Sequence, residues 1–311
     1  MKRIIISKCS GQFGNQLWMF ANVLVFALEN RRQVHAPSFY KFAPLFQYWD
    51  KSKRVVVPAQ QSKAKDYTTF RKLIYRINRF NFLTNTFLNI NLEPVALISK
   101  IRLKGKTVPK ENLRSYTRCY FDREEYQWLV QKILSRKTVM FQGFMFCSGV
   151  EQMKKHQAAL QEIFKPAHTV VDKMKWLQEQ RPADAFMIGV HIRRGDYRKY
   201  RDGKYFYDHE VYKKFMRHVI SLFPYSPITF FICSDEKINE NDFSEFQIVL
   251  NKNGNSIEDM YLLSVCQYIM GPPSTFSKWS SYYGNVPLFI MEDDSTMPVQ
   301  TDFKVKYNHY Y

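Results

Sequence analysis

The segment His191-Ile192-Arg193-Arg194-Gly195-Asp196-Tyr197 follows directly on a short apolar run, the position where a strand hands over to a loop. Two adjacent arginines there present planar, permanently charged forks that match phosphate oxygens in pairs, where lysine supplies only a point charge. A diphosphate suits that pair. The competing use is an ion-pair cluster, with Arg193 or Arg194 satisfied by Asp196 or Asp202. A second segment, Cys9-Ser10-Gly11-Gln12-Phe13-Gly14-Asn15-Gln16, sets two glycines three apart before an apolar run of helical length. Glycine lets backbone approach a ligand closely and a helix N-terminus favours an anion, while a tight strand-to-helix turn without a ligand fits the same residues. It lacks the third glycine and the later acid of the dinucleotide fingerprint. A third segment, Gly271-Pro272-Pro273-Ser274-Thr275-Phe276-Ser277-Lys278-Trp279, offers hydroxyls and N–H groups at Ser274 and Thr275 to a phosphate, or simply caps the next helix with Ser274. Ser234-Asp235 ends another apolar run, and a carboxylate there can accept from the N1–H and amino group of a guanine. Glu292-Asp293-Asp294 reads as a solvated acidic turn, because a hard cation needs several convergent oxygens.

The elements that must position these residues follow from apolar rhythm and breakers. Residues 2–8 form a β-branched strand, the glycine turn follows, and 17–28 is an apolar run long enough for a buried helix, interrupted only by Asn22. From 185 onward the pattern is a strand at 185–190, a charged loop, an amphipathic segment at 209–222, a strand at 228–233, a helix over 258–270 and a strand at 286–291. That alternation argues a parallel α/β sheet. Two such units, with a break at Phe164-Lys165-Pro166, predict two Rossmann-like halves. We expect an N-terminal domain over 1–165 and a C-terminal domain over 166–311, with ligands at the carboxyl ends of the strands.

The chain of 311 residues is 45% hydrophobic and 16% aromatic, which excludes intrinsic disorder. Its five cysteines form no metal-ligand pattern and are expected to be reduced thiols of a cytoplasmic protein. The longest apolar stretch falls short of the roughly 20 residues that cross a bilayer. Lys and Arg number 46 against 28 acids, a net +18, and residues 51–118 alone hold 16 Lys or Arg against three acids. This stretch has apolar residues at helical spacing (Phe70, Leu73, Ile74, Ile77) and reads as a basic helical insertion. It is either a plain solvated face or a surface for polyanions such as anionic lipid or nucleic acid.

Taken together, the motifs carry a resemblance. Residues 191–197 match the HxRRGDY signature of the α-1,2-fucosyltransferase family, glycosyltransferase family 11, and residues 10–21 resemble its opening GxGNQ-helix motif. Ile232-Cys233-Ser234-Asp235 resembles its second C-terminal motif and residues 259–284 its third. The chain departs from the third at Pro273, where the family has Asn, at Lys278, where it has Trp, and at Ser280-Ser281, which replace glycine and alanine. The resemblance implies a GT-B-like fold, two Rossmann-like domains facing across a cleft, with an acceptor-side N-terminal domain and a C-terminal domain that binds the nucleotide sugar. It implies an inverting, metal-independent transfer of L-fucose from GDP-fucose to a glycan hydroxyl, the 2-OH of a terminal galactose, and no cofactor. Carried over by position, Arg193 binds the diphosphate, His191 and Asp235 the guanine end, and Ser274, Thr275 and Phe276 the phosphate side. Gly14 and Asn15 reach the diphosphate from the N-terminal domain. Asp196 either takes the acceptor proton or holds an arginine in place.

A lipid-linked or polysaccharide acceptor would give the basic stretch a use as a peripheral contact with the inner face of a membrane, seen as liposome binding that weakens with salt. Two other readings stand beside this one. The first keeps the fold and changes the nucleotide-sugar donor, because Pro273 and Lys278 flank the phosphate-side residues. The second is a basic nucleic-acid-binding protein, disfavoured because the charge cluster and the RRGD loop lie in different halves.

Overall fold

The computed structural model describes residues 2–9, 11–39, 42–47, 55–56, 93–94, 119–143 and 146–308. The chain divides into two compact units, Met1–Ala167 and His168–Tyr311, each with its own parallel sheet. The helical insertion expected over 51–118 lies outside the described residues, apart from short strand pieces at Val55–Val56 and Glu93–Pro94.

In the first unit, strand β1 (Arg3–Cys9) leads into helix α1 (Phe13–Glu29). Its sheet also contains β2 (Gln33–His35), β3 (Val55–Val56), β4 (Glu93–Pro94) and β6 (Thr138–Gly143), in the order β3-β2-β1-β6-β4 with every pairing parallel. A separate parallel pair joins β5 (Cys119–Tyr120) to β7 (Phe146–Cys147). Among the described residues the unit also contains helices α2 (Gln127–Ser135), α3 (Val150–Lys155) and α4 (Gln157–Ile163). Helix α1 is buried along most of its length, which is why it reads as one apolar run. Asn22, the one polar break in that run, is fully buried and fully used. Its amide donates to the Trp18 carbonyl at 2.7 Å, and its side-chain oxygen accepts from the Ser148 N–H at 2.7 Å. A buried amide satisfied in this way costs little, whereas an unpaired one would be destabilising.

The second unit opens with helix α5 (His168–Glu179) and then alternates β8 (Phe186–Ile192), α6 (His209–Leu222), β9 (Ile228–Ser234), β10 (Ile248–Leu250), α7 (Ser256–Leu263), β11 (Tyr268–Gly271), α8 (Thr275–Gly284) and β12 (Leu288–Ile290). The sheet order is β10-β9-β8-β11-β12, again all parallel. One face packs Ile188, Val190 and Ile192 against Tyr212, Phe215 and Met216 of α6; the other packs Met187, Cys233 and Ile269 against Leu262 and Leu263 of α7. A sheet covered on both faces has strands that are buried on both faces and largely apolar, as β8 and β9 are, with His191 and Thr229 as buried polar exceptions.

One element differs from the sequence expectation. Residues 258–270 do not form a single helix: α7 ends at Leu263, and 268–271 is a strand between β8 and β12. Ser264 turns its hydroxyl back onto the Tyr261 carbonyl at 2.6 Å, and the Gln267 side chain accepts the Met187 N–H at 2.6 Å, which feeds the chain into the sheet. The apolar run before Gly271 suits either period, and pairing with two neighbouring strands decides for the sheet.

Candidate functional site

The chain leaves β8 outward to β9 and β10, then returns to the other side of β8 as β11 and β12. The order therefore reverses between β8 and β11, the point of an open α/β sheet beside which ligands generally bind. The two strand ends approach closely: a side chain on Gly271 would bring its Cβ to 2.7 Å from the His191 carbonyl oxygen, so only glycine fits. His191, on the last turn of the β8 ladder, is 4% exposed and stacks on Phe276 of α8 with centroids 4.8 Å apart. Its Nδ1 has no hydrogen-bond partner among the described residues. Burial first, and the Arg193 charge second, pull its pKa down to about 3, against a weaker opposite pull from Asp196. The imidazole is neutral at any working pH.

Arg193 follows one residue beyond the strand. Its Nε and Nη2 donate to the two carboxylate oxygens of Asp196 at 3.0 and 2.9 Å, and Asp235 stands 3.9 Å from Nε. Burial works against the guanidinium charge, and the Asp196 hydrogen bonds and nearby charges outweigh it, so its pKa is raised. The Arg193 N–H donates to the Tyr212 hydroxyl at 3.2 Å, which ties the loop to α6. Asp235, at the end of β9, accepts the Arg194 and Gly195 N–H groups on one oxygen at 2.9 and 3.3 Å. Arg194 turns away toward Glu236, its Nε 3.4 Å from the carboxylate, and lies over the Phe206 ring. The adjacent arginines therefore part company: only Arg193 stays at the strand ends beside Asp235 and His191. Asp202, considered above as a partner, lies in the loop that follows.

That loop is strained. Arg201 and Asp202 both take left-handed backbone angles (φ 49° and 57°), and Gly203 follows at φ 77°. Each non-glycine residue in that region costs about 1–2 kcal/mol, and two in succession persist only where surrounding contacts impose them. The Arg201 guanidinium reaches the Tyr205 hydroxyl at 3.4 Å, and the Lys204 N–H closes back on the Arg201 carbonyl at 3.1 Å.

Ser274 caps α8, accepting the Phe276 N–H at 3.2 Å, and Thr275 opens the helix. The Tyr197 hydroxyl donates to the Pro273 carbonyl, which joins the RRGD loop to the Ser274 turn. The departures at Ser280 and Ser281 have a structural use. Ser280 donates to the Met260 carbonyl at 2.7 Å and Ser281 to the Val286 carbonyl at 2.6 Å, fastening α8 to α7 and to the chain entering β12. Lys278 is buried within α8. Second-unit residues His191, Arg193, Asp196, Asp235, Ser274, Thr275 and Phe276 thus surround the β8 and β11 ends. Gly14 and Asn15 belong to the first unit, in the opening turn of α1, where Gln16 donates to the Gly11 carbonyl at 2.8 Å.

Tyr212 and Glu236 were not singled out from sequence. Each acts across the fold, and the amphipathic rhythm of 209–222 marks Tyr212 only as a buried position. Among the described residues, no group of three His, Cys, Asp or Glu side chains is placed to hold a metal ion. Asp293 of the acidic turn instead accepts from Ser295 and Thr296, whose backbone N–H groups lead in lowering its pKa. Among the described cysteines, Cys147, Cys233 and Cys266 are free and buried. No helix among the described residues is long and apolar enough to cross a membrane.

Known structures share this fold. FUT1 of Arabidopsis thaliana, solved as a mutant in complex with GDP, superposes with a TM-score of 0.57 at 12% identity, over 96% of this chain and 71% of that one. NodZ, a fucosyltransferase from Bradyrhizobium, gives 0.56 at 17% identity, over 94% of this chain and 96% of its own. POFUT1 in complex with GDP-fucose gives 0.55 at 14% identity, over 96% of each chain. At these identities the likeness establishes the fold, which is the GT-B-like α/β architecture of these enzymes. No curated protein matches the chain by sequence. The sequence profile of Glycosyl transferase family 11 matches residues 5–290, nearly the whole length, and the chain belongs to that family of glycosyltransferases.

Proposed function

We propose that the protein transfers L-fucose from GDP-fucose to a hydroxyl of a glycan, the 2-OH of a terminal galactose, with inversion at the anomeric carbon. The observation that carries this reading is the Arg193 fork, held at the reversal point of the sheet by a carboxylate that is itself half exposed. The structures of POFUT1 with GDP-fucose and of FUT1 with GDP show that this fold accommodates that nucleotide in those proteins. On this reading the diphosphate displaces Asp196 and takes the guanidinium pairwise. As the bond from the anomeric carbon to the diphosphate oxygen breaks, negative charge grows on the leaving oxygen and Arg193 stabilises it. Such a donor contributes about 10²- to 10³-fold in rate. The permanent charge of Arg193 supplies the stabilisation a divalent cation would otherwise provide. Asp196, released from the ion pair, accepts the proton of the attacking hydroxyl. The second oxygen of Asp235 receives the guanine N1–H, while neutral His191 and Phe276 form an uncharged wall beside it. The Ser274 and Thr275 end of α8 faces the phosphates.

Melting curves with GDP, UDP and ADP test the donor. GDP alone is expected to raise the melting temperature substantially, since a ligand at 100 times its Kd adds about 2.7 kcal/mol. An equal response to all three nucleotides, or none to GDP, would remove the guanine reading.

A further inference from the structure

The strained loop carries an aromatic ring that is packed on one side and open on the other. Tyr200 is 45% exposed, whereas Tyr197 and Tyr205, its ring neighbours at 5.2 and 6.4 Å, are buried. Arg201 lies 5.7 Å from the Tyr200 ring centre. Tyr225 offers a contrast: it is 98% exposed on a turn, with no ring contact among the described residues, as an ordinary solvated surface residue is. Tyr200 is instead held by buried rings, one turn beyond Asp196, on a backbone kept left-handed at two successive non-glycine residues. Its support is linked to the reacting groups. Tyr197 bonds the Pro273 carbonyl beside Ser274, and the Arg193 guanidinium lies over the Tyr197 ring at 5.3 Å.

We infer that Tyr200 is the platform for the acceptor sugar, its open face receiving the apolar face of a terminal galactoside beside Asp196. The inference rests on the proposed transfer reaction and adds to it the place of the acceptor. A galactopyranoside with its axial hydroxyl turned away leaves three C–H groups on one face. The negative face of an aromatic ring attracts such polarised hydrogens, and a pre-positioned ring loses little freedom on binding. The fixed backbone then has a purpose, because a ring on a freely moving loop would orient the attacking hydroxyl poorly.

The test compares wild type, Tyr200→Phe, Tyr200→Ala and, as a control, Tyr225→Ala, with methyl β-galactoside as acceptor probe. Three quantities are measured: GDP affinity, GDP release from GDP-fucose without acceptor, and KM and kcat for the galactoside. Tyr200→Ala is expected to raise the galactoside KM by about tenfold while GDP affinity and acceptor-free release stay at the wild-type level. Tyr200→Phe, which keeps the ring, and Tyr225→Ala are expected to behave as wild type. An unchanged galactoside KM in Tyr200→Ala overturns the inference, as does a parallel loss of GDP affinity, which would make the ring a structural support. A wild-type protein that neither binds GDP nor releases it from GDP-fucose fails the transfer reading itself, and the platform falls with it.

Discussion

The chain contains two Arg-Arg pairs beside parallel strands, and they do different work. Arg31-Arg32 precedes β2 in the first unit, whereas Arg193-Arg194 follows β8 in the second. Arg32 is almost completely buried, and its Nη2 donates to the carbonyls of Ile133, Leu134 and Arg136 at 2.9 to 3.0 Å. These oxygens end α2, where unpaired carbonyls gather negative partial charge. They are fixed in the backbone, so that guanidinium is committed to the fold. Arg193 meets a side-chain carboxylate on a short turn, a partner that on the proposed reading gives way to the diphosphate. An arginine at the amino end of a strand is free to serve stability. One at the carboxyl end, where the sheet order reverses, lies where a ligand arrives.

The largest effect expected from breaking this contrast is on rate. Arg193→Lys is expected to reduce fucosyl transfer about 10²- to 10³-fold, because an ammonium cannot match two phosphate oxygens, while the melting temperature stays near that of wild type. Arg32→Met should do the reverse. Loss of the charge-assisted Nη2 bonds, partly offset by relief of the buried Nε and Nη1 that have no partner among the described residues, is expected to lower stability by about 1 kcal/mol in urea denaturation, with specific activity of the folded protein retained. Asp235→Asn keeps an oxygen for the Arg194 N–H but, on the proposed reading, turns an amide donor toward the guanine. It is expected to weaken GDP binding about tenfold and to narrow the preference for GDP over ADP, as titration calorimetry would show.

The smallest effect concerns Asp259 on α7. Burial leads in pushing its carboxyl up to about 6, Glu258 adds to this, and the Asn251 hydrogen bond and Lys173 charge oppose it. The folded chain thus binds this proton more tightly than the unfolded one, whose pKa is 3.8. The resulting stability is complete below pH 3.8 and is lost as pH rises through about 6. Asp259→Asn is therefore expected to gain about 1 kcal/mol at pH 7.5 and nothing at pH 3.5, less than the full shift because the attraction to Lys173 is lost too. A gain that persisted at pH 3.5 would show that the burial of this charge is not its source.

Much of the fold was legible because burial on both sides of a sheet writes itself as uninterrupted apolar residues. The largely apolar strands at 186–192 and 228–234 appear in the sequence for that reason, and helix α1 because it is buried along most of its length. β11 did not, since a four-residue apolar strand directly after a helix carries no period of its own. At the candidate site, the pairing of Arg193 with Asp196 and the capping role of Ser274 were readable as local alternatives, being contacts over two or three residues. The Tyr212 hydroxyl on the Arg193 N–H, the Asp235 oxygen on the turn 40 residues away, and the left-handed angles at Arg201 and Asp202 depend on long-range placement, which no local spacing encodes.

The most direct test is a crystal structure with GDP. A diphosphate oxygen is expected within about 3 Å of the Arg193 guanidinium, with Asp196 displaced from it. A nucleotide bound elsewhere, with the Arg193–Asp196 ion pair undisturbed, would contradict the assignment.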